Sequence, residues 1–403
     1  MNNTDTGLQG NGGGTMIGRL VGASVLAIGL ALGAVPAAAA PTSSAPGTVV
    51  EAVELDSAMW IPGTARATKV TYWTTGPLDQ PALSSGAVFM PSGTPPPDGW
   101  PVISWAHGTV GIADRCAPSI AGTYGRSYLA HWLSEGYAIV ATDYLGLGTP
   151  GVHPYLDGKS AAHSVTDMVR AGRAVEPSLS PRWVALGQSQ GGHAAMVTAA
   201  RATTYAPELD FLGAVATGTP ANLETLAPLV GPDFPQLPFT GTTVFVSFIL
   251  AGLRAARPDL DVNGYLSDVG RAAVDAAESE CYADMAPVLE DVSIGDLVVR
   301  DVDDPAMLAA LDDMLAVPVS GYDRPVFLGH GMTDLMVPAP LALKLAADLA
   351  INRQPVTFRR YPGGHLETQL DALPDATAFV GDLFECPPGE YNCAQSSLSG
   401  SSG

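Results

Sequence analysis

Basic residues are scarce in this chain: 19 Lys and Arg stand against 40 Asp and Glu, for a formal net charge of −21. Such a surface repels polyanions, which excludes nucleic acid and anionic membranes as partners. Cysteine is also scarce, at four residues: Cys116, Cys281, Cys386 and Cys393. Cys386 and Cys393 are too far apart for a C-x2–4-C zinc knuckle, so neither a metal nor another cofactor is expected. No internal repeat is visible. What is abundant is apolar, 47% of the 403 residues. That is too much for disorder, and it is enough for one large domain with an insertion, or for two domains.

The N-terminus has the order of an export signal. Arg19 precedes an uncharged, mostly apolar run from Leu20 to Val35, followed by Ala37-Ala38-Ala39-Ala40. Cleavage is expected after Ala39, and a start at Met16 would leave a compact n-region. The competing reading is a retained membrane anchor, for which the run is short. In an exported chain an even cysteine count reads as two disulfides. Four cysteines allow three pairings. Cys386–Cys393 is the local one, which leaves Cys116–Cys281.

Residues 40–59 read as a linker or N-terminal extension. Beyond them, short apolar strands alternate with longer amphipathic stretches, the pattern of a mainly parallel sheet flanked by helices. Strands are expected at Lys69–Thr74, Ala87–Met90, Val102–Ala106, Ala138–Thr142, Trp183–Gly187, Leu212–Thr217, Pro325–Leu328 and Val356–Tyr361. Helices are expected at Ser127–Ser134, Ala161–Val175, about Gly191–Ala200, Ala339–Leu349, and Leu366–Leu383 with an interruption at Pro374. Residues 221–320 break the pattern. They hold 17 acidic and four basic residues, a local charge of −13, and read as a mostly helical cap inserted between core segments 60–220 and 321–395. The Ser/Gly-rich tail from Ser396 reads as disordered.

The strongest chemical signal is Gly187-Gln188-Ser189-Gln190-Gly191, a G-x-S-x-G set between a strand and a helix. Flanking glycines let backbones approach closely while the serine takes a strained turn at a helix N-terminus, where developing negative charge is favoured. A serine hydroxyl needs a histidine to take its proton, and that histidine needs a carboxylate to fix its tautomer. With the chain order Ser, Asp/Glu, His, only His193, His330 and His365 follow the serine. His193 lies four residues along the same helix and should point away from the hydroxyl. His330 directly follows a strand. His365 occupies a glycine turn after the last strand, where the base belongs. The acid is placed on the loop after the penultimate strand, at Asp334. His193 and His330 are expected as hydrogen-bonded neighbours of the site.

Ester cleavage builds charge on the carbonyl oxygen, and pre-aimed N–H groups stabilise it. One donor is expected from Gln190. The other is expected from Thr109 or Gly108, in the loop after Val102–Ala106.

With these residues assembled, the chain resembles the secretory lipase family of α/β-hydrolases over about residues 60–395. The resemblance rests on Trp105–Thr109 (WAHGT), Cys116–Ser119 (CAPS), Asp143–Gly148 (DYLGLG), Gly187–Ala195 (GQSQGGHAA), Gly331–Asp334 (GMTD) and Gly363–His365 (GGH). It implies export, an α/β-hydrolase fold with a helical cap over the site, and hydrolysis of carboxylic esters including lipids. It carries the triad onto Ser189, Asp334 and His365. It also carries a disulfide onto Cys116–Cys281, stapling the oxyanion-side loop to the cap. The chain departs from the fungal lipases of the family in its His-Gly oxyanion segment and its GQSQGG elbow. The partner is then a small-molecule or lipid ester, met by transient contact with a lipid interface.

The cap run Val244–Leu253, preceded by Phe234, Leu237 and Phe239, reads either as an acyl-chain surface or as the cap's own core. Rival readings are an exported peptidase or polyester depolymerase using the same triad, and a non-catalytic binding protein on a hydrolase scaffold.

Overall fold

The computed structural model describes residues 12, 43–237, 239, 241–387 and 389–391. The chain separates into two compact units, Met1–Ala39 and Ala40–Gly403. The expected export signal, the Met16 start, Cys393 and the tail from Ser396 lie outside the described residues. The strands and helices among the described residues belong to the second unit.

Among the described residues, nine strands form one sheet: β1 (Val49–Glu54), β2 (Thr64–Thr75), β3 (Pro81–Pro91), β4 (Trp100–Ala106), β5 (Ala138–Leu145), β6 (Leu179–Gln188), β7 (Asp210–Thr217), β8 (Val326–Gly331) and β9 (Val356–Tyr361). Their order is β1-β2-β3-β5-β4-β6-β7-β8-β9. The pairs β1–β2, β2–β3 and β3–β5 are antiparallel, and the rest are parallel. Among the described residues the α-helices are α1 (Pro118–Ala121), α2 (Arg126–Ser134), α3 (Gly158–Val175), α4 (Gln190–Tyr205), α5 (Gly241–Ala256), α6 (Asp268–Ala277), α7 (Tyr282–Val288), α8 (Pro305–Leu315), α9 (Ala339–Ile351), α10 (Glu367–Asp371) and α11 (Leu373–Glu385); α5–α8 fall in the segment read as a cap.

Successive strand residues point to opposite faces, and the core sorts accordingly. Val102, Ala106, Val140, Ala185, Ala214 and Leu328 join Val165, Met168, Ala195 and Leu345 from α3, α4 and α9 on one face. Ile103, Trp105, Ile139, Val184, Val215 and Phe327 join Leu129, Trp132, Phe379 and Leu383 from α2 and α11 on the other. Both faces are covered, so the central strands read as continuous apolar runs.

The stretch read as a linker or N-terminal extension contributes the edge strand β1 at Val49–Glu54, so that part of it is not a linker. Five of its six residues are exposed, so it carries no apolar alternation by which to recognise it. The break at Pro374 is found as the boundary between α10 and α11, with the proline in the first turn of α11, where its missing N–H costs nothing.

Between β7 and β8, α5–α8 build a separate apolar cluster that includes Val244, Phe248, Leu253, Val274, Met285, Leu297, Met307 and Leu311. No strand is present between Thr217 and Val326 among the described residues. Cys116 and Cys281 are bonded. An isolated bridge between Gly111 and Cys281, together with Tyr282 N–H donating to Val110 O at 3.0 Å, joins the loop after β4 to the start of α7. Cys386 is not a free thiol, and its expected partner lies outside the described residues.

Candidate active site

Ser189 sits between β6 and α4 with φ +58°, a region disfavoured for residues bearing a Cβ. The neighbouring glycines make the turn possible. A Cβ on Gly187 would overlap the Gly191 carbonyl, and one on Gly191 would overlap the Ala106 carbonyl. Ser189 N–H donates to Thr217 O at 2.9 Å, which pins the turn to β7.

The loops after β8 and β9 bring the other two residues to the same sheet edge. Ser189 Oγ lies 2.8 Å from His365 Nε2, and His365 Nδ1 lies 2.6 Å from Asp334 Oδ2. A carboxylate only accepts, so the ring proton sits on Nδ1 and Nε2 is free to accept from the serine. The other oxygen, Asp334 Oδ1, accepts from Met336 N–H at 2.9 Å and Val337 N–H at 2.8 Å. The carboxylate is therefore held at both oxygens, and it is 3% exposed.

The two remaining downstream histidines take other partners. His330 donates from Nε2 to Val337 O at 3.0 Å, bracing the loop that carries Asp334. Burial holds its pKa below the ordinary value. His193 Nε2 contacts Leu315 O at 3.0 Å, at the end of α8 in the cap. Burial pushes its pKa down to about 4.

Gln190 is the first residue of α4, so its N–H has no acceptor within the helix. Gly108 lies beside the nucleophile: a Cβ there would stand 3.7 Å from Ser189 Cβ and 2.9 Å from Gln188 Oε1. Gln188 also donates from Nε2 to His365 O at 3.3 Å. The Thr109 hydroxyl pairs with Tyr155 OH at 2.6 Å. Sequence reasoning missed Tyr144, His153 and Tyr155 in this neighbourhood. Tyr144 lies within the DYLGLG segment already used for the resemblance.

A cavity opens from Ser189 and His365 into the cap. Leu223, Phe234, Leu237, Phe245, Val246, Ile249 and Leu250 line it, with Met307 and Leu311. The run 244–253 divides between the two faces of α5. Phe245, Val246, Ile249 and Leu250 face the cavity, while Val244, Phe248 and Ala251 fill the cap core. Phe239 does not line the cavity; its ring packs against that of Phe245, tilted by 34° with centroids 6.0 Å apart. Among the described residues, no group of three or more His, Cys, Asp or Glu is placed to hold a metal ion.

A model of the secretory lipase family matches residues 118–389. The chain belongs to the secretory lipase family. It is 25% identical over 305 residues to a secreted triacylglycerol lipase of Malassezia furfur, covering 68% of this chain and 76% of that one. It is 27% identical over 294 residues to a probable inactive lipase of Mycobacterium tuberculosis, covering 68% and 61%. Its structure is similar to that of Candida antarctica lipase A, with a TM-score of 0.70 at 20% identity over 87% of this chain and 84% of that one. The shared architecture is the α/β-hydrolase fold.

Proposed function

We propose that this protein is an exported serine hydrolase that cleaves carboxylic esters of long acyl chains, triacylglycerols among them, through an acyl-enzyme on Ser189. The unbroken contact from Ser189 Oγ through His365 to Asp334 carries the reading. His365 Nε2 takes the hydroxyl proton as Oγ attacks the ester carbonyl carbon, and Asp334 stabilises the resulting imidazolium. The N–H of Gln190 and that of Gly108 or Thr109 receive the carbonyl oxygen as it gains charge, at roughly 3 kcal/mol per donor. His365 then protonates the leaving alcohol, and water repeats the sequence to release the acid.

The apolar cavity is the support for a long acyl chain. It runs inward from Ser189 and His365 between apolar side chains, Phe245, Val246, Ile249 and Leu250 among them, and so offers a dry wall along the path an acyl chain would take. Each methylene taken from water into it contributes about 0.8 kcal/mol. Transient docking on a neutral lipid surface fits the leucines that directly follow two triad members: Leu335 is 72% exposed and Leu366 67%.

A series of p-nitrophenyl esters from acetate to palmitate tests the reading. We expect kcat/KM to climb by up to about fourfold per methylene until the cavity is filled. A maximum at acetate with steady decline thereafter would refute the long-chain assignment.

A further inference from the structure

Three aromatic rings lie in a row behind the reaction centre, and none of them touches the cavity. Tyr144 packs against His107, with centroids 4.5 Å apart, and stacks on His153 at 5.5 Å with 12° between planes. All three are buried, at 0%, 3% and 2% exposure for Tyr144, His107 and His153. Tyr144 has φ +71°, a conformation that costs energy for an aromatic residue and persists only where its surroundings impose it.

The polar atoms of these rings reach the backbone on both sides of the nucleophile. Tyr144 OH donates to His107 O at 2.9 Å. The His107 carbonyl and the Gly108 N–H belong to one planar trans peptide and point in opposite directions, so this bond sets the direction of the Gly108 N–H. His107 Nδ1 lies 2.7 Å from Gly108 O, and its Nε2 a longer 3.3 Å from Asp143 O. The shorter contact places the ring proton on Nδ1. By the same geometry it sets the direction of the Thr109 N–H.

On the other side, His153 Nδ1 lies 2.9 Å from Leu145 O. A carbonyl only accepts, so this nitrogen carries the proton. Burial pushes the His153 pKa down to about 3, keeping the ring neutral. Its Nε2 is then an acceptor, and Gln190 Nε2 donates to it at 2.8 Å. A flipped Gln190 amide would set two acceptors face to face.

We propose that Tyr144 and His153 are positioning residues that hold the two halves of the oxyanion hole, Gly108–Thr109 and Gln190, in one fixed arrangement from behind. This rests on the reading of the protein as a serine hydrolase. The brace spans the segments after β4 and β5 and the start of α4, so a shift of the stack would move donors on both sides together. Its value lies in the transition state, because donors must be in place before charge develops.

Tyr144→Phe removes one oxygen and keeps the stack. His153→Phe keeps the ring and removes both nitrogens. For each we expect kcat on a p-nitrophenyl ester to fall about tenfold with KM within twofold, a fraction of the 10²–10³ lost with a whole donor. Octylboronic acid forms a tetrahedral adduct on the serine that mimics the transition state, and its inhibition constant should rise by the same factor as kcat falls. Loss of a purely structural role would lower the melting temperature without this matched pair of changes. Should Tyr144→Phe fail to fold, His153→Phe and Gln190→Met, which release the opposite donor, are read in the same way. If kcat and boronate inhibition both stay within twofold in folded variants, or the loss appears only in KM, the proposal is wrong. A wild-type protein that neither hydrolyses esters nor binds the boronate would instead overturn the hydrolase reading itself.

Discussion

Replacing Asp334 by Asn should nearly abolish turnover while leaving the fold intact, and the surrounding hydrogen bonds say why. Asp334 Oδ1 accepts from the N–H groups of Met336 and Val337, and Oδ2 accepts from His365 Nδ1. An asparagine has one oxygen and one NH2 group. Two backbone donors claim the oxygen, because facing them with NH2 would leave two buried N–H groups unpaired. The NH2 must then face His365 Nδ1, which becomes an acceptor and sends the ring proton to Nε2. A protonated Nε2 donates toward Ser189 Oγ and cannot take its proton. The loss expected from a wrong tautomer is about 10⁴ in kcat, or ~5.4 kcal/mol of barrier. Stopped-flow or extended steady-state hydrolysis of a p-nitrophenyl ester would measure it, alongside thermal unfolding to verify the fold. A folded Asp334→Asn protein that keeps more than a tenth of wild-type kcat would refute the tautomer argument.

Buried titratable groups and the disulfide give two further expected outcomes. Burial pushes His153 to about 3 and His163 and His193 to about 4, below the ordinary value near 6.5. The unfolded chain therefore binds more protons in that window, and each histidine removes up to ~1.4 kcal/mol of stability per pH unit as pH falls from about 6.5 toward 4. Asp167, pushed up to about 6 by burial, works in the opposite direction below pH 6 and offsets one of the three. The urea midpoint should fall across this range, and a flat profile from pH 6.5 to 4 would contradict the assignment. Replacing both Cys116 and Cys281 by Ser opens a loop with a sequence separation of 165. Chain entropy sets the cost at up to ~5 kcal/mol, or roughly 7 °C in Tm for a domain of this size. An unchanged Tm would show that the link between the oxyanion-side loop and the cap carries no stability.

The core was legible because its strands are buried on both faces and its punctuation is chemical. Val102–Ala106 and Trp183–Gly187 are short apolar runs ending in glycine or histidine turns, and the observed β4 and β6 extend them by only a few residues. The positions of Ser189, Asp334 and His365, which the structure brings within hydrogen-bond reach of one another, were legible for the same reason, since each follows a strand. The edge strand β1 was hidden because an exposed edge needs no apolar alternation. In the cap, α5 is apolar on both faces, one toward the cavity and one toward the cap core. Periodicity cannot divide such a helix, and only its neighbours can. The ring stack was hidden for a further reason: His107, Tyr144, His153 and Gln190 meet from segments distant in sequence, and no local pattern marks a buried tyrosine as the partner of a particular carbonyl.

The central claim is that Ser189 is a nucleophile activated by His365. Reaction of the folded mature protein with a fluorophosphonate probe, followed by peptide mapping, tests it most directly. One adduct is expected, on Ser189, absent from Ser189→Ala and formed far more slowly in His365→Gln. A folded protein that takes up no probe, or equal labelling in Ser189→Ala, would contradict the claim.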